Sequence, residues 1–198
     1  MNTVAEQVAS HLLQIKAIKL EPNHPFTWAS GWKSPIYCDN RKTLSYPEVR
    51  TYIRDQFVNL IKTKYPQVEL IAGVATGAIA QGALVAQELG LPFVYVRSAA
   101  KNHGLENLIE GEYKEGQKVV VVQAVEALRN AGCDVLGMVA IFTYGFQKAI
   151  DNFTNAHCVL DTLSDYNAMI DLAQKTGYVQ ESDVAKLKEW RLSPESYK

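Results

Sequence analysis

From residue 68 onward, apolar residues form short runs that are separated by stretches with helical spacing. Each run has the length of a buried strand rather than of a helix. The five runs cover residues 68–72, 93–96, 118–122, 135–142 and 157–160. Strands that alternate with helices predict an α/β fold with a central, mainly parallel five-stranded sheet flanked by helices.

The first 64 residues carry two helical patterns and one segment without clear periodicity. Residues 3–6 form a capping-box pattern before the first helix, and Pro47 opens a second helix that ends near Lys64. Residues 17–44 consist of short aromatic pieces punctuated by proline and glycine. We therefore predict one domain over residues 1–198, with a small N-terminal hood at approximately 17–44.

Residues 99–116 do not fit the alternation of strands and helices. They are polar and glycine-bearing, and they lie between two predicted strands that a helix should join. Loops of this length in compact domains are usually functional lids or disordered segments. We predict a flexible lid at approximately 99–116, and the pattern leaves a plain surface hairpin open as the alternative.

The valine strand at Val119–Val122 runs directly into a helical pattern at 124–130, with no turn residues between them. A strand needs a loop of a few residues before a helix can pack back on the same sheet. Strand-to-helix loops are also where α/β proteins bind their ligands. Either the two elements join in an unusual way, or the sequence lacks a functional loop between Val122 and Gln123.

Composition argues against several classes of function. The 198 residues have a formal net charge of −1, so the composition lacks the excess positive charge that is typical of nucleic-acid-binding proteins. No apolar run approaches the roughly 20 residues that span a bilayer, and no signal peptide is recognisable. The three cysteines and four histidines lack metal-ligand spacing. We expect a cytoplasmic protein that binds neither nucleic acid nor membrane, with no metal ligands from its own side chains.

A turn of small residues follows the first parallel strand. Backbone N–H groups at Gly73, Val74, Ala75, Thr76 and Gly77 can approach an anion at the start of the next helix. Small residues in this place also serve simply to pack a helix against a sheet, and the sequence does not separate the two explanations. The chain has neither a GxGxxG motif nor a P-loop, which disfavours a nucleotide-binding domain of another class.

Two further groups of residues have polar side chains suited to a ligand. Arg97, Lys101 and His103 follow a strand end and suit a polyphosphate, although charged loop residues are more often simply solvated. In the hood, Lys33 lies among aromatic side chains such as Tyr37, which can cover a planar substrate or form a miniature core of their own. Periodicity does not choose between these alternatives.

Taken together, these segments resemble the orotate phosphoribosyltransferases over nearly the whole chain. Matching pieces lie at residues 26–37, 72–77, 96–98, 101–111 and 140–146. The hood piece SGWKSPIY and the lid pieces KNHG and NLIEG are specific to this family among phosphoribosyltransferases. The resemblance implies the type I phosphoribosyltransferase fold, with the hood and the lid as parts of it.

The resemblance also implies a reaction, a cofactor and an assembly. The phosphoribosyl group of 5-phosphoribosyl 1-diphosphate passes to N1 of orotate, giving orotidine 5′-phosphate and diphosphate in de novo pyrimidine (UMP) biosynthesis. Mg²⁺ is the implied cofactor, carried by the diphosphate. A homodimer is the implied assembly, in which the lid of each subunit completes its neighbour's active site.

Residue roles follow from the same resemblance. Lys101 and His103 are the implied catalytic residues. The implied ligands of 5-phosphoribosyl 1-diphosphate are Arg97, Lys101, His103 and the turn Gly73–Gly77, and the implied orotate ligands are Lys33, Ser34 and Tyr37. Ala99 stands where relatives often carry lysine, and Ala29 stands where some relatives do.

The main departure from the family lies at the bare junction. Relatives carry there a loop resembling Glu-Asp-Leu-Ile-Ser-Thr-Gly-Gly-Ser-Ser, whose acidic pair holds the ribose hydroxyls and whose backbone wraps the 5′-phosphate. Roughly ten residues are therefore missing between Val122 and Gln123. We hypothesise that the natural protein has this loop. If it is truly deleted, we expect poor binding of 5-phosphoribosyl 1-diphosphate and no activity. The alternative function is then a non-catalytic, nucleotide-binding regulator.

Overall fold

Seven helices and ten strands lie within residues 3–28, 31–97, 108–122 and 126–196, which are the residues that the computed structural model describes. The helices are α1 (Val4–Gln14), α2 (Pro47–Lys64), α3 (Ile79–Leu89), α4 (Glu126–Asn130), α5 (Gln147–Asn155), α6 (Tyr166–Lys175) and α7 (Glu181–Leu192). The strands are β1 (Ile18–Leu20), β2 (Phe26–Thr27), β3 (Lys33–Ser34), β4 (Ile36–Cys38), β5 (Leu70–Val74), β6 (Phe93–Val96), β7 (Ile109–Glu110), β8 (Lys118–Val122), β9 (Asp134–Thr143) and β10 (Leu160–Asp165). A 3-10 helix, Asn40–Ser45, follows β4.

The largest sheet contains six strands in the order β10-β9-β8-β5-β6-β7. Five of them are parallel, and β7 pairs antiparallel with β6 at one edge. Parallel strands place their carboxyl ends together at one edge of the sheet, where α/β proteins bind ligands. The predicted fold class is confirmed, whereas the predicted count of five strands is corrected to six.

The valine strand β8 lies in the middle of this sheet. This position explains why its apolar residues form a continuous run. Val119 and Val121 pack into one apolar cluster, and Val120 and Val122 pack into another on the opposite face. All four are at most 3% exposed. A strand covered by helices on both faces has no solvent side, so its sequence shows no alternation.

Two strands differ from the sequence prediction. β7 has only Ile109–Glu110, which is too short to give a periodic signal inside a polar stretch. The last parallel strand was predicted at 157–160, but β10 spans Leu160–Asp165. Residues near 157 instead close the end of α5, where the N–H of Cys158 donates to the carbonyl oxygen of Phe153 at 3.0 Å.

The hood consists of two small antiparallel ladders that rest on the main core. β1 pairs with β4, and β2 pairs with β3. Ile18 and Ile36 are fully buried within the same apolar cluster as Trp190 of α7. The indole nitrogen of Trp190 donates to the carbonyl oxygen of Lys33 at 3.2 Å, so α7 anchors the hood. The boundaries of the hood and of the lid within residues 1–198 stay predictions.

Candidate active site

A cleft of about 330 Å³ lies between the hood and the carboxyl ends of β5, β8 and β9. The described residues that line it are Cys38, Asp39, Asn40, Arg41, Thr43, Leu44, Gly77, Ala78, Gln81, Val122 and Ile141. Its walls are therefore the hood end, the turn after β5 with the start of α3, and the ends of two central strands. Val122 is the last residue before the bare junction, so the cleft lies where the family's loop would begin.

The turn from β5 into α3 has two parts: Gly73 packs tightly inside the fold, and the tip is exposed. A Cβ atom at Gly73 would lie 2.8 Å from the carbonyl oxygen of Ala78 and 3.0 Å from Cζ of Phe93. Packing therefore requires glycine at this position. Thr76 and Gly77 are exposed, and Gly77 lines the cleft. Contacts of this turn with a diphosphate stay a prediction.

Arg97 begins the connection that follows β6 and is held by the edge strand β7. Its Nη1 lies 3.2 Å from Oε1 of Glu110, and its backbone N–H donates to the carbonyl oxygen of Leu108 at 2.8 Å. Both side chains are about one-third exposed, so the pair orients the guanidinium at a small energetic gain of about 0–1 kcal/mol. The other two predicted cations, Lys101 and His103, lie outside the described residues.

The three predicted orotate ligands are arranged differently from one another. The hydroxyl of Ser34 is buried, donates to the carbonyl oxygen of Ile36 at 2.8 Å and accepts the N–H of the same residue at 3.2 Å. Nζ of Lys33 donates to Oγ1 of Thr27 at 2.8 Å, whereas Tyr37 is 40% exposed. None of the three lines the described part of the cleft. Their contacts with orotate stay predictions.

The rim of the cleft carries an ion pair that the sequence analysis did not single out. Nε and Nη2 of Arg41 donate to the two carboxylate oxygens of Asp39 at 2.7 and 2.9 Å. These hydrogen bonds lower the pKa of Asp39 below its ordinary value. Opposite charges two residues apart, directly after the strand β4, were the available signal. The pair fixes the rim geometry without adding net charge.

Cys38 lies on the cleft wall and is partly buried. Sγ lies 3.3 Å from Oδ1 of Asn40. Burial, together with the neighbouring Asp39 carboxylate, raises the pKa of Cys38 to about 12. The side chain is therefore a neutral hydrogen-bonding wall group and not a nucleophile at physiological pH.

The raised pKa of Cys38 has a direct chemical consequence. At pH 8.5 we expect iodoacetamide to alkylate Cys38 in the native protein at least about 100-fold more slowly than in urea, because only the thiolate reacts. Mass spectrometry of the peptide that contains Cys38 measures both rates. In the Cys38→Ser variant the alkylated peptide should be missing, which confirms its assignment. Equal rates in native and unfolded protein would contradict the raised pKa.

Gln81, in the first turn of α3, is the most unusual group of the cleft. It is 3% exposed, and neither its Oε1 nor its Nε2 has a hydrogen-bond partner within the described part of the chain. Buried polar atoms are nearly always paired, since leaving them unpaired costs about 1–3 kcal/mol. The only sequence signal is one polar residue on an otherwise apolar helix face, which periodicity does not interpret.

A second, larger groove of about 500 Å³ lies between α5 and β10. It is lined mainly by apolar side chains such as Ile150, Phe153 and Val159, and no Asp, Glu, Lys or Arg lies among its described lining residues. Such a surface has no permanently charged side chain to pair with phosphates or a carboxylate. The smaller cleft is therefore the candidate site, because it combines the sheet's carboxyl edge with convergent polar groups.

Within the described ranges, no three His, Cys, Asp or Glu side chains are placed to share a metal ion. Over the same residues, no helix combines the length and apolar character needed to cross a bilayer.

Comparison with known proteins identifies the family. An orotate phosphoribosyltransferase of Porphyromonas gingivalis is 57% identical over 208 aligned positions, which cover 100% of this chain and 99% of the relative. The chain belongs to the orotate phosphoribosyltransferase family. A relative of the same name from Phocaeicola vulgatus is 58% identical, covering 98% of this chain and 97% of its own length. No family model matches the chain.

Solved structures of the family share the fold of this chain. The orotate phosphoribosyltransferase of Aeropyrum pernix superposes with a TM-score of 0.74 at 24% identity, covering 87% of this chain and 99% of that one. An adenine phosphoribosyltransferase of Trypanosoma brucei superposes with a TM-score of 0.59 at 19% identity, with 80% of each chain covered. The fold is thus shared by enzymes named for different bases, and the fold alone does not select the base.

The alignment with the P. gingivalis relative also gives evidence on the junction between Val122 and Gln123. The alignment with the P. gingivalis protein has 208 positions, whereas this chain has 198 residues. At least ten positions of the alignment therefore have no residue of this chain. This agrees in size with the loop that we infer to be missing between Val122 and Gln123.

Proposed function

We propose that this chain transfers the 5-phosphoribosyl group of 5-phosphoribosyl 1-diphosphate to orotate, giving orotidine 5′-phosphate and diphosphate. Family membership over the full chain, at more than half identity, is the observation that carries the proposal. A cleft with hood, turn and strand ends at the sheet's carboxyl edge supports it. A non-catalytic regulator has no observation in its favour.

The chemistry requires one bond to break and one to form at C1 of the ribose. The bond from C1 to the diphosphate oxygen breaks and the diphosphate leaves with the electron pair. N1 of orotate bonds to C1 and gives up its proton to water. Negative charge grows on the leaving group, so preorganised cations lower the barrier. Arg97 at the end of β6 suits this role, and we propose Lys101 and His103 as the catalytic residues beside it.

The remaining parts of the proposal concern the cofactor, the assembly and the location. When bound to the diphosphate, Mg²⁺ would neutralise part of its charge. The described cleft fits a metal held by substrate oxygens, since its one carboxylate, Asp39, is already paired with Arg41. We also propose a homodimer with shared active sites and a cytoplasmic location, which the free cysteines Cys38, Cys133 and Cys158 suit.

The choice of base is the sharpest test of the proposal, because the fold is shared with an adenine phosphoribosyltransferase. The chain, and a variant with the family's ten-residue loop inserted between Val122 and Gln123, are each incubated with 5-phosphoribosyl 1-diphosphate, Mg²⁺ and either orotate or adenine. Chromatography measures the nucleotide formed. We expect orotidine 5′-phosphate from the loop-bearing variant and no adenosine monophosphate. Formation of the adenine nucleotide, or no nucleotide at all, would refute the proposal.

A further inference from the structure

Gln81 lines the cleft, and its side chain carries a donor and an acceptor side by side. Its carboxamide carries two N–H donors on Nε2 and two acceptor lone pairs on Oε1, and all lack partners among the described residues. The side chain is 3% exposed, so bulk water does not satisfy it. A buried amide of this kind is complementary to a ligand that also offers one donor next to one acceptor.

The surroundings of Gln81 suit a flat ring better than a phosphate or a sugar. Ala78, Val122, Ile141 and Leu44 give the same cleft apolar walls. A phosphate only accepts hydrogen bonds, so it would leave Oε1 of Gln81 unpaired and facing an anion. A planar heterocycle can instead lay its faces on the apolar walls and its polar edge against the amide.

Orotate has such an edge. The N3–H group and the C4 carbonyl form one edge of the ring, opposite the edge formed by N1, which bonds to ribose, and C6, which carries the carboxylate. Gln81 is deeply buried, whereas Gly77 and Arg41 at the mouth are exposed. A ring whose N3–C4 edge faces Gln81 therefore turns its N1–C6 edge toward the exposed mouth, where the phosphoribosyl group would attach.

We propose that Gln81 recognises the base. Its Nε2 donates to the C4 carbonyl oxygen of orotate, and its Oε1 accepts the N3–H. The inference rests on the proposed function and assigns a base-binding residue to it.

Orotate binding to the chain as it exists provides the first measurement. Calorimetry is performed on the unchanged protein, on Gln81→Leu, and on Gln87→Leu, a matched control at an exposed position of the same helix. We expect Gln81→Leu to weaken orotate binding by at least about tenfold, the factor for a hydrogen bond whose partner stays buried. We expect Gln87→Leu to bind within about twofold of the unchanged protein, as for a surface substitution.

A methylated probe distinguishes recognition from a merely structural role. 3-Methylorotate lacks the N3–H, so the unchanged protein should prefer orotate to it by about tenfold or more. In Gln81→Leu the ratio of the affinities for orotate and 3-methylorotate should fall toward one. The same preference in both proteins would overturn the inference, as would weaker diphosphate binding with unchanged orotate binding, since Gln81 would then serve the phosphate side.

Controls separate the possible failures. Urea unfolding should show Gln81→Leu at least as stable as the unchanged chain, because the substitution removes two unpaired buried atoms. If the unchanged chain binds orotate and Gln81→Leu binds it equally well, only the inference fails. If the unchanged chain does not bind orotate at all, the proposed function fails with it.

Discussion

Inserting the family's ten-residue loop between Val122 and Gln123 should raise kcat/KM for orotidine 5′-phosphate formation by at least about 10³-fold. The strand that ends at Val122 stops at the floor of the cleft. A loop starting there would supply backbone N–H groups for the 5′-phosphate and an acidic pair for the ribose hydroxyls. Loss of a single preorganised donor already costs about 10²–10³-fold in related electrostatic sites. Absorbance of orotate gives the rate.

The matched control for this experiment has the same length without the chemistry. Ten alternating glycine and serine residues inserted at the same junction relieve any strain between β8 and the helix that follows. They lack the acidic pair, so we expect activity to stay within about tenfold of the unchanged chain, the factor for 1.4 kcal/mol of transition-state stabilisation. Equal activity of the two insertions would mean that only the length matters. High activity of the unchanged chain would mean that no loop is missing.

Trp190→Ala should lower the free energy of unfolding by about 3–5 kcal/mol, the cost of removing a large buried aromatic side chain. Trp190 is 1% exposed and its ring lies 5.5–6.0 Å from those of Trp28, Tyr144, Phe146 and Tyr166. The substitution also removes the hydrogen bond to Lys33 that anchors the hood. Urea unfolding followed by far-ultraviolet circular dichroism measures the loss.

Leu192→Ala on the same helix is the control for Trp190. Leu192 is 84% exposed, so its removal should change the free energy of unfolding by less than about 0.5 kcal/mol. A loss below about 1 kcal/mol for Trp190→Ala would contradict the packing of α7 against the hood.

Elements with strong local signals were predictable from the sequence. The buried run of β8 reads as a central parallel strand, and α2 spans Pro47–Lys64, the residues at which the pattern placed it. The capping box at Thr3 is formed, with its Oγ1 accepting the N–H of Glu6 at 3.2 Å. In each case the residues that specify the element lie within it, so no long-range contact is needed to recognise it.

Features that depend on long-range contacts escaped prediction. β7 exists because Ile109–Glu110 pairs with β6, and its own two residues carry no period. The cleft joins Cys38, Gln81 and Ile141, which are far apart in sequence and meet only in the fold. Nothing local distinguishes Gln81 from Gln87, and only burial without a partner sets it apart.

The location of the base-binding site is the central claim, and titration of isotope-labelled protein with orotate tests it most directly. Nuclear magnetic resonance follows the backbone amides of Cys38 and Ile141 and the side-chain amide of Gln81 in the cleft, against Ile150 and Phe153 in the apolar groove. We expect shifts that saturate together at the three cleft positions, with none in the groove. Shifts confined to the groove between α5 and β10, or none in the cleft at saturating orotate, would contradict the account.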